Sequence, residues 1–277
     1  MDSIQEWIIK NSQDGKSVDW LLKEMLGVGW DENHAIQTMQ QTMVDVFNKN
    51  APEKDLPEPS PVPIISLEGS PNTVDAGDRI VEIVASIIHP RVVVVADFLS
   101  DEECDYIISN AESRIQRSST LNSGTGESEV HPARTSFGMF YKKGENEVIQ
   151  RIEQRIAKLT NWPAENGEGL QVLRYQVGQE YVPHNDYFDT ANPNLDKVLA
   201  RGGQRVGTFL MYLNNPIRGG GTSFPDVGFE VAPKKGSAVF FSYDRPHKST
   251  KTLHAGTPVQ EGEKWVATKW LRQREFI

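Results

Sequence analysis

Hydrophobic and polar positions follow two rhythms along this chain, and the rhythm changes once. Over residues 1–50 apolar side chains return every three or four positions. Trp7, Ile8 and Ile9 open a first patch. Val18, Leu21, Leu22, Met25 and Leu26 form a second behind Ser17, a candidate N-cap. Gly27 and Gly29 interrupt it, and Asp31 then caps a third segment with Ala35, Ile36, Met39 and Met43 on one face. The pattern predicts three short helices, a bundle small enough to bury little by itself.

Residues 50–63 keep neither rhythm. Pro52, Pro57, Pro59, Pro61 and Pro63 alternate with charges, which predicts an extended, semi-rigid spacer. From about residue 79 the period shortens to that of strands. Residues 87–89 and 91–96 are β-rich, and Ser100-Asp101-Glu102-Glu103 is a capping box that opens a helix to about Arg114. Residues 117–133, rich in Ser, Thr, Gly and Glu, read as a mobile loop, and a helix is expected over 145–159. Short strands are then expected over 169–175, 180–184, 204–213, 222–224, 228–231, 237–243, 250–254 and 264–271. Many short strands divided by Gly and Pro suggest a sandwich, barrel or jelly roll. The expected organisation is a helical bundle over 1–50, a Pro-rich linker and lead-in over 51–78, and a mainly β domain with supporting helices over 79–277.

Composition narrows the class. Six Trp, seven Tyr and eleven Phe among 277 residues can fill a sizeable core, so the chain is no disordered tail. The formal charge is −9, which argues against nucleic acid as the main partner. Residues 1–55 carry −5 of it, so the bundle is denser in negative charge and becomes a candidate protein-binding module. The chain has a single cysteine, Cys104, hence no intrachain disulfide and no Cys-rich zinc site. The first residues carry no basic or apolar leader, and no apolar run approaches the roughly 20 residues of a spanning helix. The expectation is a soluble, cytoplasmic protein with no membrane partner.

The first chemical signal is Tyr181-Val182-Pro183-His184-Asn185-Asp186. His184 and Asp186 are two apart on an extended segment, so their side chains point the same way. His254 follows seventy residues later near another predicted strand. Two imidazoles and one carboxylate can cover one face of an octahedral metal and leave three positions open, as non-haem Fe(II) oxygenases need. His-x-Asp alone is a common triplet. Lys264, ten residues past His254, adds weight. It sits among aromatics on a strand-like run, and an inward ammonium there needs a carboxylate partner. The distal carboxylate of 2-oxoglutarate would serve. Without the triad, Lys264 would read equally well as a solvated strand-edge residue.

These segments resemble the prolyl 4-hydroxylase family of Fe(II)/2-oxoglutarate dioxygenases over roughly residues 90–277. The resemblance rests on Leu170 through Asp186, Gly203 through Leu213, Gly219-Gly220-Gly221-Thr222-Ser223-Phe224, Leu253 through Val259, and Gly262-Glu263-Lys264-Trp265. Arg134-Thr135-Ser136 and Phe98 through Cys104 also fit. The resemblance implies a double-stranded β-helix (jelly-roll) core, with Fe(II), 2-oxoglutarate and O2, and often ascorbate. It implies His184, Asp186 and His254 as iron ligands and Lys264 as partner of the C5 carboxylate. It implies Tyr175 and Thr222 beside the cosubstrate and Trp265 as a pocket wall. Arg205 and Arg134, with Tyr181, become candidates for the substrate side, although either arginine could equally be a structural ion-pair partner. His247 is a spare histidine near the site and reads as a loop residue. The implied reaction is hydroxylation of a prolyl residue in a peptide or protein. Hydroxylation of a free cyclic amino acid such as proline or pipecolate is the alternative, with an inward arginine clamping the free carboxylate. For the peptide reaction, the 117–133 loop would close as a lid.

Overall fold

The computed structural model describes residues 4–49, 56–117, 120–121, 128–129, 135–191 and 195–277. The chain divides into two compact units, Met1–Leu56 and Pro57–Ile277.

The first unit is three helices, α1 (Ile4–Gln13), α2 (Val18–Gly27) and α3 (Glu32–Lys49). Ser17 Oγ accepts the Trp20 N–H at 3.2 Å, and Asp31 Oδ1 accepts the His34 N–H at 3.0 Å, so both predicted caps close orphan amides. The core is Ile8, Leu21, Met25, Ala35 and Met39. Val18 and Leu26 belong to the predicted apolar face but are exposed, because three helices this short enclose only a narrow stripe.

The second unit begins earlier than the sequence suggests. Residues 57–78 are not a free lead-in. The Ser60 N–H donates to the Asp244 carbonyl, the Ile64 N–H donates to the Thr160 carbonyl, and Ile65 is buried in the core. The segment ends in β1 (Thr73–Asp75), followed by β2 (Ile80–Ile87), β3 (Arg91–Ala96) and helix α4 (Asp101–Glu112), whose capping box forms as predicted. Next come β4 (Gln116–Arg117), β5 (Thr120–Leu121), β6 (Ser128–Glu129), β7 (Phe137–Tyr141) and helix α5 (Glu147–Thr160). Most of the 117–133 loop lies outside the described residues. The remainder is β8 (Leu170–Tyr175), β9 (Tyr181–His184), α6 (Leu195–Ala200), β10 (Arg205–Tyr212), β11 (Arg218–Gly219), β12 (Thr222–Phe224), β13 (Phe229–Val231), β14 (Ala238–Ser242), β15 (His254–Gly256), β16 (Val259–Glu261) and β17 (Lys264–Arg272).

Nine strands form one antiparallel sheet in the order β1-β2-β3-β14-β10-β17-β8-β7-β4, and four form a smaller one, β13-β12-β15-β9. The central strands of the large sheet, β3, β14, β10, β17 and β8, are buried on both faces, and their alternation sorts the core in two. Val93, Val95, Phe209, Met211, Trp265 and Ala267 face α4 and α5, which contribute Cys104, Ile107, Ile152 and Ile156. Val92, Val94, Tyr212, Phe241 and Val266 face the other way and share a core with Phe224 and Val231 of the small sheet. This is a mainly antiparallel jelly-roll body braced by helices on one side. The expected strand over 250–254 is absent. Lys248–Thr250 is a 3-10 turn, Lys251 has φ 52° and interrupts the extended path, and β15 starts at His254.

Candidate active site

The register of β9 against β15 sets His184 directly across from His254. Asp186 follows just past β9. Its Oδ1 lies 3.7 Å from His184 Nε2 and its Oδ2 lies 3.4 Å from His254 Nε2. One ligand atom from each of the three can be taken so that all lie within 4.8 Å of one another. Each imidazole Nδ1 sits 2.9 Å from the carbonyl two residues earlier, Val182 for His184 and Thr252 for His254. A carbonyl only accepts, so each Nδ1 donates its proton there, and Nε2 is the ring atom that faces the carboxylate, as a metal ligand must. Burial pushes the Asp186 carboxyl upward, yet the two imidazoles when charged, the Arg205 guanidinium and the Thr208 hydroxyl overcome it and bring it to about 2. Two orientated imidazoles and an ionised carboxylate on rigid backbone fit a divalent iron, with positions left over for other ligands.

The three side chains line one cavity, and Lys264 lines it as well. Lys264 is 3% exposed. Its Nζ contacts the Gly221 carbonyl at 3.4 Å and lies 5.4 and 5.9 Å from the ring centres of Tyr175 and Tyr212. Among the described residues no carboxylate forms an ion pair with it. Burial lowers its pKa to about 7, and Glu230 opposes that from longer range. The alkyl stem runs along Gly220, where a Cβ would stand 3.2 Å from Lys264 Cδ. A buried cation lacking an internal anion, in one cavity with three metal-type ligands, fits a dicarboxylate that binds the metal at one end and the ammonium at the other.

Residues 170–272 match the model of the 2OG-Fe(II) oxygenase superfamily. Prolyl 4-hydroxylase 5 of Arabidopsis thaliana is 42% identical over 222 residues, which cover 72% of this chain and 74% of that protein. The chain belongs to the prolyl 4-hydroxylase family. Prolyl 4-hydroxylase 1 of the same plant is 45% identical over 203 residues, covering 67% of this chain and 70% of the relative. Among solved structures, the viral collagen prolyl hydroxylase of Paramecium Bursaria Chlorella virus-1, in its 2OG complex, is 33% identical. It aligns with a TM-score of 0.51 over 65% of this chain and 95% of that one. The chain is therefore a 2-oxoglutarate-dependent dioxygenase that uses Fe(II) and O2.

The remaining predicted residues divide. Tyr175 and Thr222 line the cavity; Tyr175 pairs across the strands with Lys264, and Thr222 Oγ1 accepts the Tyr212 hydroxyl at 2.8 Å. Tyr181 lines it too, its ring stacked 3.6 Å from that of His184. Trp265 does not. Successive residues of a strand point to opposite faces, so Lys264 enters the cavity while Trp265 packs on the helix side, its Nε1 donating to Glu263. The tryptophan in the cavity wall is Trp270. Arg205 is engaged elsewhere: Nε and Nη2 grip Glu168 at 2.7 and 2.9 Å, and its guanidinium lies 3.9 Å from the Trp270 ring centre. Arg134 lies outside the described residues. His247 caps the 3-10 turn, its Nδ1 accepting the Ser249 N–H, and takes no part in the ligand set. Thr208, Thr268 and Trp270 are among the wall residues that sequence reasoning missed. The available signal was the strand period: each has the same parity as an inward-facing residue of its strand.

Proposed function

We propose that this enzyme hydroxylates a prolyl residue within a peptide or protein, releasing succinate and CO2. The observation that carries the reading is one cavity holding His184, Asp186, His254 and Lys264, whose ammonium meets no carboxylate among the described residues. Bound iron would supply the activation of O2 that lets 2-oxoglutarate oxidation drive attack on a C–H bond. The chain's own part is positioning. His184 and His254 present Nε2, and Asp186 adds negative charge. Lys264 orientates the cosubstrate by its far carboxylate, and Leu173, Leu210 and Val266 line the walls and keep water out.

A peptide substrate is favoured over a free amino acid by the fate of Arg205. A free amino acid brings a carboxylate that needs its own cation. Arg205, the inward candidate, is ion-paired with Glu168, which Arg272 also contacts, and no arginine is among the described residues lining the cavity. The names of the Arabidopsis relatives support the same reading. Ascorbate as reductant and a reducing, cytoplasmic setting complete it. Cys104 is buried, and burial pushes its thiol up to about 11, so it is held as an unreactive thiol. The test is turnover of a short Pro-containing peptide against free proline, read as succinate and as a gain of one oxygen in mass. His184→Ala and Asp186→Ala should each lose iron-dependent succinate formation, and full activity in either would overturn the reading.

A further inference from the structure

The ligand set holds a device that the ligand residues alone do not reveal. Asp186 Oδ2 accepts a hydrogen bond from Thr208 Oγ1 at 2.7 Å, and Thr208 Oγ1 lies 3.1 Å from the Tyr243 hydroxyl. Thr208 and Tyr243 are each 1% exposed and Asp186 is 7% exposed. The direction of the chain follows from counting protons. An ionised carboxylate only accepts, so the one hydroxyl proton of Thr208 goes to Asp186. Thr208 must then accept from Tyr243, and the order is Tyr243 to Thr208 to Asp186 Oδ2.

The supports of this chain are rigid. Thr208 lies mid-sheet on β10, across from Phe241 of β14 on one side and Trp270 of β17 on the other. Tyr243 follows β14, and its N–H donates to the Val206 carbonyl. The backbone that carries each hydroxyl is therefore fixed by its strand pairing or by this bond, and both side chains are buried.

We propose that Thr208 and Tyr243 are positioning residues that occupy Oδ2 of Asp186, so that the carboxylate meets the metal through Oδ1 alone. The proposal rests on the reading of His184, Asp186 and His254 as the metal site. A carboxylate free to turn can offer both oxygens and fill two positions. One pinned by a short, charge-assisted bond offers one, which leaves room for a two-pronged cosubstrate and a further ligand. Within the apolar stretch of β10, Thr208 stands among Val206, Phe209, Leu210 and Met211, and this hydrogen bond gives its hydroxyl a task.

The test uses the full chain titrated with Co(II) alone, without cosubstrate. Affinity and the visible d–d spectrum are read together. Thr208→Val should weaken Co(II) binding by roughly 10- to 100-fold, the range for lost outer-sphere partners, and should change the spectrum. Thr208→Ser should restore both. Tyr243→Phe should move both in the same direction by less, since Thr208 still donates. Wild-type affinity and spectrum in Thr208→Val would overturn the proposal while leaving the metal site standing. Should Thr208→Val not fold, Tyr243→Phe decides: a weakened, altered Co(II) complex supports the chain, and an unaltered one overturns it. An unsubstituted protein that binds no Co(II) would overturn the metal reading and the proposal with it.

Discussion

Strand β17 carries two buried lysines five residues apart, and they do opposite things. Lys269 is 2% exposed and Lys264 3%. An odd separation puts them on opposite faces of the strand. Lys269 turns toward α5, where its Nζ meets Glu153 Oε1 at 2.5 Å; Glu153 Oε2 also accepts the Gly144 N–H. That ammonium is complete within the fold. Lys264 turns into the cavity and finds a carbonyl at 3.4 Å and two aromatic rings. Burial lowers the pKa of both, and only Lys269 has a carboxylate in contact to oppose it. Residue type, strand and burial are held constant, so the difference isolates one variable, the internal counter-ion. A buried lysine that has one is architecture. Among the described residues Lys264 has none, which supports the proposal that it anchors an anion.

The comparison makes opposed predictions for the same substitution. Lys269→Met leaves Glu153 buried without its cation, which should cost about 3–5 kcal/mol of stability, read as a lowered urea midpoint. The surviving folded protein should bind 2-oxoglutarate normally. Lys264→Met should do the reverse. It should weaken 2-oxoglutarate binding by about 2–5 kcal/mol, roughly 30-fold to several thousand-fold, measured anaerobically with Mn(II) in place of iron. Below pH 7 its fold should be at least as stable as wild type, because a buried charge has been removed. A Lys264→Met protein destabilised as strongly as Lys269→Met would break the comparison, since Lys264 would then have an internal partner.

How much of this was legible in the sequence depends on the range of the interaction. His184, Asp186 and Lys264 were legible because spacing along a strand fixes side-chain direction locally. His254 was legible as a residue type, although its strand was placed four residues too early: nothing local in 250–254 announces the turn at Lys251. The resemblance implies Trp265 as a wall, whereas the strand period puts it on the other face and Trp270 on the cavity side. Partners remained hidden. Glu168 lies 37 residues from Arg205 in sequence and Glu153 lies 116 from Lys269, and no periodicity links them. The free or paired state of a buried charge is a tertiary fact, and it decides the role of both lysines and of Arg205.

The prediction that is smallest per pH unit is also the sharpest probe of the unpaired state of Lys264. In the folded chain Lys264 titrates near 7, and in the unfolded chain a lysine titrates near 10.4. Between those values the unfolded state holds a proton that the folded state has given up. Stability therefore rises with pH across this window, by at most about 1.4 kcal/mol per pH unit from this residue. Below pH 7 both states hold the proton and the slope disappears. Subtracting the Lys264→Met curve from that of wild type should leave this slope and cancel the share of Lys269. Cosubstrate binding runs the same proton backward. At pH 8 to 9 the free enzyme is mostly neutral at Lys264, while a bound dicarboxylate needs the ammonium. Binding should take up close to one proton, seen as a dependence of the calorimetric heat on buffer ionisation enthalpy, and affinity should fall as pH rises above 7. Lys264→Met should abolish the uptake. An uptake that persists in that variant would place the titrating group elsewhere in the cavity and would separate the two halves of the argument, the unpaired burial of Lys264 and its role as the anchor.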